Sequence, residues 1–391
     1  MPDMPLQVPD PRVFPDIRSA AEPARGLYAL AERSLRAATA QSADALDREL
    51  KDALFARLIA GGPELAAILA GAPAIEVARH LWRSLDAAWR DAAPADGSAL
   101  AITLFALPLV VVVGREGNGG DGVLQGIVDD PAKLAEILRE HRALAGNETF
   151  ALSSALVNAD AIDVARLPEI FAWGRLPDAA PSGLRLPARV LQPSPLGYHA
   201  GRESVHLRFL VGSAVAKPGA DLTADASVGK WGVPLVRELV AQLGSDQTSV
   251  LALPRAPQRL LPAVAQGRAA QREVSAQIFA SNAIRKLRST VGEPTAVISA
   301  HRAPDAPGGG ELRLSLSSPF EPGAAEGFRC PLYPLDRAGD IVGMLAGLMR
   351  DCRVADIRAL AGVHADRDAG TGLPLLFKPD TIPSPTASGV H

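Results

Sequence analysis

Thr295–Ser317 reads TAVISAHRAPDAPGGGELRLSLS. Two strand-like runs, Thr295–Ala300 and Leu312–Leu316, flank a Pro-, Asp- and Gly-rich connection, APDAPGGG at 303–310, which is the chemistry of a turn between paired strands. In the second run Leu312, Leu314 and Leu316 point one way and Arg313, Ser315 and Ser317 the other, because strand side chains alternate between faces. One face is expected to be buried and the other wet, as antiparallel sheets allow. Arg313 and Ser315 are therefore expected to be exposed.

Reading outward, Ile341, Leu345, Leu348 and Cys352 recur at helical spacing after Asp336, a capable cap. Val354–Val363 and Leu373–Phe377 then read as strands that close the sheet. On the N-terminal side, residues 257–291 read mostly as helix, with Ala276, Ala280, Ala283, Leu287 and Val291 on one face. Before them come the strand Val250–Leu253, the helix Pro234–Leu243 and an alternating strand around Val205–Val211. From residue 249 the order is strand, helix, strand, strand, helix, strand. That order describes a ferredoxin-like β-α-β-β-α-β sandwich, an α+β fold.

The first half carries a partial echo. Gly26 to about Ala60 reads as one helix, and a second helix after Pro73 places Trp82 and Trp89 on one side. Ala99–Val113, ALAITLFALPLVVVV, is an uncharged run of 15 residues, short of the ~20 a membrane-crossing helix needs. Its β-branched end favours a buried strand. A glycine-rich loop, a short strand Val123–Val128, a helix from Pro131 to about Leu144 and a strand at Phe150–Val157 follow. A tandem duplication is one reading of the two halves. The expected organisation is a Pro-rich arm (1–24), an N-terminal α/β domain (25–175), a Pro-rich linker (176–198), a C-terminal α+β domain (199–380) and a flexible tail (381–391).

Composition sets the class. The 391 residues suit two domains, and 48% hydrophobic with 21% charged residues is globular. A net charge of −3 gives no global field toward nucleic acid or anionic membrane. Cys330 and Cys352 are too few for a disulfide framework or a thiolate zinc site. The first sixteen residues hold five prolines and no secretory pattern, so the chain reads as soluble and cytoplasmic. The 34 arginines against 6 lysines suggest a GC-rich bacterial source.

Motifs with chemistry are few. Gly117–Gly122 satisfies G-x-G-x-x-G, but a strand rather than a helix follows it. It reads as a turn, and no cofactor is expected. Gly229-Lys230 lacks the earlier glycine and the hydroxyl of a phosphate loop. His364, Asp366 and Asp368 alternate on an extended segment, a weak candidate for a hard metal in a region where Asp is mainly a turn former. His80, His141, His199, His206 and His301 have no local partner and read as surface or capping residues. Between residues 251 and 291, seven basic residues face Glu273 alone, and Arg255, Arg259, Arg268 and Arg272 are a candidate surface for an anionic partner. Phe279 is the one aromatic there, so a nucleic-acid platform is not favoured.

Three function classes remain open. The first is a non-catalytic binding or regulatory protein for a small molecule or a protein partner. The second is an enzyme with its site between two domains, and the third a nucleic-acid-associated factor using residues 255–288.

Overall fold

The computed structural model describes residues 6–61, 64–92, 101–115, 126–144, 150–162, 166–173, 194, 204–216, 222, 227–243, 248–290, 292–306, 308–318, 321–370 and 372–377. The fold mixes helix with two sheets. The contacts divide the chain into two units, residues 16–271, and residues 1–15 with 272–391.

The first unit begins with four helices, α1 (Glu22–Leu35), α2 (Ala40–Ala60), α3 (Glu64–Ala70) and α4 (Ile75–Asp91). The single helix expected over Gly26–Ala60 is two helices. The Thr39 hydroxyl accepts from the Ser42 N–H at 3.2 Å and starts α2 afresh. Leu27, Leu50, Leu54, Leu81 and Leu85 are buried on the facing sides of α1, α2 and α4. Trp82 and Trp89 are half-buried, and the Trp89 ring meets Phe171 edge-on at 5.3 Å.

After them come β1 (Ala101–Arg115), α5 (Pro131–Glu140), β2 (Phe150–Val157), α6 (Leu167–Trp173), β3 (Ser204–Ala216), α7 (Val228–Leu243), β4 (Thr248–Pro254), β5 (Gln258–Arg259) and α8 (Leu260–Thr290). The sheet order is β2-β3-β1-β4, with β5 also on β1 and every pair antiparallel. Leu104 to Val113 are all buried, without alternation. Phe105, Leu107, Leu109, Val111 and Val113 pack with Leu134 and Leu138 of α5 and with Trp231, Leu235 and Leu239 of α7. Leu104 and Ala106 pack on the other side with Leu207, Phe209, Leu260 and Ala263. A strand covered on both faces needs a continuous apolar run. Gly212 lies opposite Phe105 in the register, where a Cβ would collide with the phenyl ring.

Several expectations change here. β1 pairs with β3 and β4, and its sheet neighbours do not include β2, so the echo of a duplication is absent from the pairing. Of Val123–Val128, only residues 126–128 are described, and Ile127 makes a single bridge to Ala155. The expected linker 176–198 lies outside the described residues except for Ser194, as do the 117–122 loop and the 381–391 tail. Strands before and after that stretch share one sheet, and the division between units falls instead within α8, at Gln271/Arg272.

The second unit holds the end of α8, then β6 (Thr295–Arg302), β7 (Gly310–Ser318), β8 (Glu321–Pro331), α9 (Ala338–Asp351) and β9 (Asp356–His364). Its sheet order is β8-β7-β6-β9, with β9 parallel to β6. The ferredoxin-like order is thereby corrected, because β4 zips onto the valine run of β1 and β8 takes a place in the smaller sheet. Ala276, Ala280, Ala283 and Leu287 of α8 pack with Ile341, Val342 and Leu345 of α9 over Leu312, Leu314 and Leu316. Asp336 does not cap α9. Its carboxylate accepts from the Tyr333 N–H at 2.8 Å and pairs with Arg272, and Arg337 occupies the cap position. The N-terminal arm is docked on this unit, with buried Arg12 donating to the Tyr333, Pro334 and Asp336 carbonyls.

The alternation in β7 correctly sorts its residues into two sets, but neither set is wet. Arg313 and Ser315 are fully buried, against expectation. Residues 365–370 and 372–377, called the strap below, lie across that face. Leu373–Phe377 does not add a strand to the sheet, and the bridge Arg367–Pro374 closes the strap on itself. No helix among the described residues is long and apolar enough to cross a membrane.

Candidate functional site

A hollow of about 560 Å³ opens beside α1, α2 and α4, within the size range of small-molecule sites. Ser34 comes from the last turn of α1, and Ala43, Asp47 and Lys51 come from α2 at four-residue steps. His80, Arg83, Ser84 and Ala87 come from α4, again three and four apart. Each set shares one helix face for that reason. Amphipathic packing buries the leucines below, with Ser34, His80 and Ser84 also buried and Arg83 exposed at the rim.

Ser34 donates its hydroxyl hydrogen to Asp47 Oδ1. His80 Nε2 lies 3.1 Å from the same oxygen, in ion-pair range but not aligned as a hydrogen bond. Burial lowers the His80 pKa; the Asp47 carboxylate opposes that shift and the nearby Arg83 reinforces it. The ring is therefore neutral at neutral pH. Arg83 donates Nε–H to the Arg79 carbonyl at 3.4 Å. Among the described residues, neither Lys51 nor Arg83 has a carboxylate within ion-pair distance. The lining thus carries two cationic groups and one carboxylate, with the Ser34 and Ser84 hydroxyls beside them. A serine–histidine nucleophile needs its hydroxyl on the imidazole. Here the hydroxyl is turned to the carboxylate, so the arrangement suits holding a ligand rather than attacking one.

A second polar cluster lies on the strap-covered face of the smaller sheet. Ser299 Oγ and His301 Nε2 are 2.8 Å apart, and His301 Nδ1 lies 2.7 Å from the Ala365 carbonyl. The carbonyl fixes the proton on Nδ1, so Ser299 donates to Nε2. That is the bond between a nucleophile and its base, yet both residues are fully buried beneath the strap. Burial also lowers the His301 pKa, against the bond to Ala365. His206 Nε2 lies 2.8 Å from Ser204 Oγ. His80, His206 and His301 are accordingly not the isolated surface residues expected.

The three weak metal candidates are drawn apart by other partners. His364 rests against the Phe377 ring at 4.6 Å, and Asp366 pairs with Arg313. Asp368 accepts from the Gly370 N–H at 3.0 Å in a turn. Among the described residues, no group of three or more His, Cys, Asp and Glu is placed to hold a metal. In the basic segment Arg255, Arg259, Arg268 and Arg272 are each half-buried rather than exposed together. Arg259 pairs with Asp86 at 2.5 Å, and Arg272 pairs with Asp336.

The hollow was missed because its polar residues come from three helices, which a local motif search does not join. The signal present was the four-residue step from Asp47 to Lys51 and from His80 to Ser84 on otherwise apolar faces. No protein-family model matches the chain, and no curated protein or solved structure is significantly similar to it.

Proposed function

We propose that the chain is a non-catalytic binding protein whose helical hollow seats a small anionic molecule. One observation carries the reading: Lys51 and Arg83 border a hollow that also holds His80 and two serines, and among the described residues neither makes a direct ion pair, although Lys51 feels the Asp91 carboxylate from a distance. Two cationic groups on one concavity are what a carboxylate or phosphate requires. The alternative reading as an enzyme has less support, because Ser34 is bonded to Asp47 and Ser299 is buried. The nucleic-acid reading has less support too, because Arg259 and Arg272 are engaged by aspartates. A cytoplasmic location belongs to the same proposal, supported by the two unpaired cysteines.

The test is thermal denaturation with a panel of small mono- and dicarboxylates, inorganic phosphate and matched neutral compounds. A member of the anionic set raises the midpoint in a saturable way, and Lys51→Met with Arg83→Met removes the effect. Stabilisation by neutral compounds alone, or by none, contradicts the reading.

A further inference from the structure

We propose that the polar face of the β6–β9 sheet is a seat for an acidic peptide folded as a short hairpin, and that the strap is its built-in, displaceable occupant. The argument starts from charge. Arg313 and Arg329 are direct partners in the β7–β8 register, and like charges so placed repel. Glu311 lies between them, bonded to Arg313 Nε at 2.5 Å and to Arg329 NH2 at 2.8 Å. Arg358 and Asp356 on the same face pair with each other at 2.7 Å, so Glu311 is the one sheet carboxylate in contact with the two facing guanidiniums, with Asp305 acting on Arg329 from farther off. Asp366 of the strap brings a second carboxylate, ion-paired to Arg313, 3.6 Å from Arg329 and also 3.6 Å from its own neighbour Arg367.

The remaining contacts define what else an occupant must bring. Arg313 NH1 donates to the Asp366 and Leu375 carbonyls, the latter at 3.0 Å, and Ser315 Oγ accepts from the Phe377 N–H at 3.3 Å. Leu376 rests on Gly327, where a Cβ would drive it off. The Phe377 ring lies 5.8 Å from His301 and 4.6 Å from His364. Backbone carbonyls, an N–H, an acid and a leucine–aromatic end are the features of a peptide, not of a small anion.

Displacement is favoured by how the strap is held. None of its described residues is buried in a hydrophobic core, and most of them are exposed. Its internal bonds make it a self-contained hairpin: Asp368 N–H to the Leu373 carbonyl at 2.9 Å, Gly372 N–H to the Asp368 carbonyl at 2.9 Å, and Leu375 N–H to the Asp366 carbonyl at 3.2 Å. Such a unit lifts without unravelling, and segments with few apolar contacts open first. Once lifted, it leaves the arginine pair and its hydrogen-bonding neighbours free for a peptide in trans.

The experiment uses the full chain and a fluorescein-labelled synthetic peptide of the strap sequence, ADRDAGTGLPLLF, followed by anisotropy. Asp366→Asn in the chain loosens its own strap, so the peptide binds that variant at least ~10-fold more tightly than the unaltered chain. A peptide with Asn in place of the first Asp binds at least ~10-fold more weakly, and adding Arg329→Ala to the chain weakens binding again. Equal binding to the variant and the unaltered chain, or no discrimination between the two peptides, overturns the proposal. Should Asp366→Asn fail to fold, amide exchange on the unaltered chain decides. The amides of Asp368, Leu375 and Phe377 exchange at least ~10-fold faster than those of β7 if the strap lifts independently. Equal protection overturns the proposal.

Discussion

Arg313 and Asp366, 53 residues apart in sequence, are ion-paired above the middle of β7. The Arg313 side chain is 0% exposed, whereas Arg329, which shares Glu311 with it, is 41% exposed. Removing one member of a buried pair leaves an uncompensated charge and costs roughly 3–5 kcal/mol. A pair open to water contributes only ~0–1 kcal/mol. Arg313→Ala is therefore expected to lower unfolding stability by several times more than Arg329→Ala, measured by urea denaturation. Equal losses would contradict the burial of the network.

Leu314 lies on the opposite face of the same strand, fully buried among residues of α8 and α9. Leu314→Ala is expected to cost roughly 2–5 kcal/mol, and the heat-denaturation midpoint measures it. A loss below ~1 kcal/mol would mean that this leucine ridge is not the core of the unit.

How much was legible follows from β7. Its alternation identified the leucine face and its helical cover, because period-two patterning reports which residues share a face. It did not report what covers the polar face. A solvated set and a set buried by ion pairs look alike in one strand, and the deciding carboxylate, Asp366, lies far away in the chain. β8, EPGAAEGFRCP, escaped because it holds little β-branched or aromatic character and is recruited by pairing with β7. β1 was legible because a strand buried on both faces must be apolar throughout. The hollow was not, since Ser34, Asp47 and His80 meet only through helix packing.

Stability should fall below neutral pH. His80 and His301 have pKa values lowered from 6.5, in each case mainly by burial. The unfolded chain therefore binds more protons than the folded chain as pH falls. Their contribution is fully present above pH 6.5, the ordinary value, and is lost as pH drops from there toward the folded values. Urea midpoints between pH 7.5 and 5 are expected to decline, and His301→Asn should flatten the decline. A midpoint unchanged over that window would refute the burial of neutral imidazoles.

The two thiols should differ in reactivity. Burial pushes the Cys330 pKa up to about 12, which keeps the thiol protonated and unreactive. Cys352 is half-buried at the end of α9. An aromatic disulfide reagent at pH 8 is expected to titrate one thiol in the native chain and two in denaturant. Two fast native thiols would show that the core around Cys330 opens readily.

The occupancy of the hollow is tested most directly at His80. Imidazole nitrogen resonances are followed as the anion selected by thermal denaturation is titrated into the full chain. His80, beside Lys51 and Arg83 in the lining, is expected to shift to saturation, while His301, buried on the smaller sheet, does not move. The saturation should disappear with Lys51→Met and Arg83→Met together. A His80 resonance that stays still, or moves only in step with His301 as salt is added, would contradict a ligand seat between α1, α2 and α4.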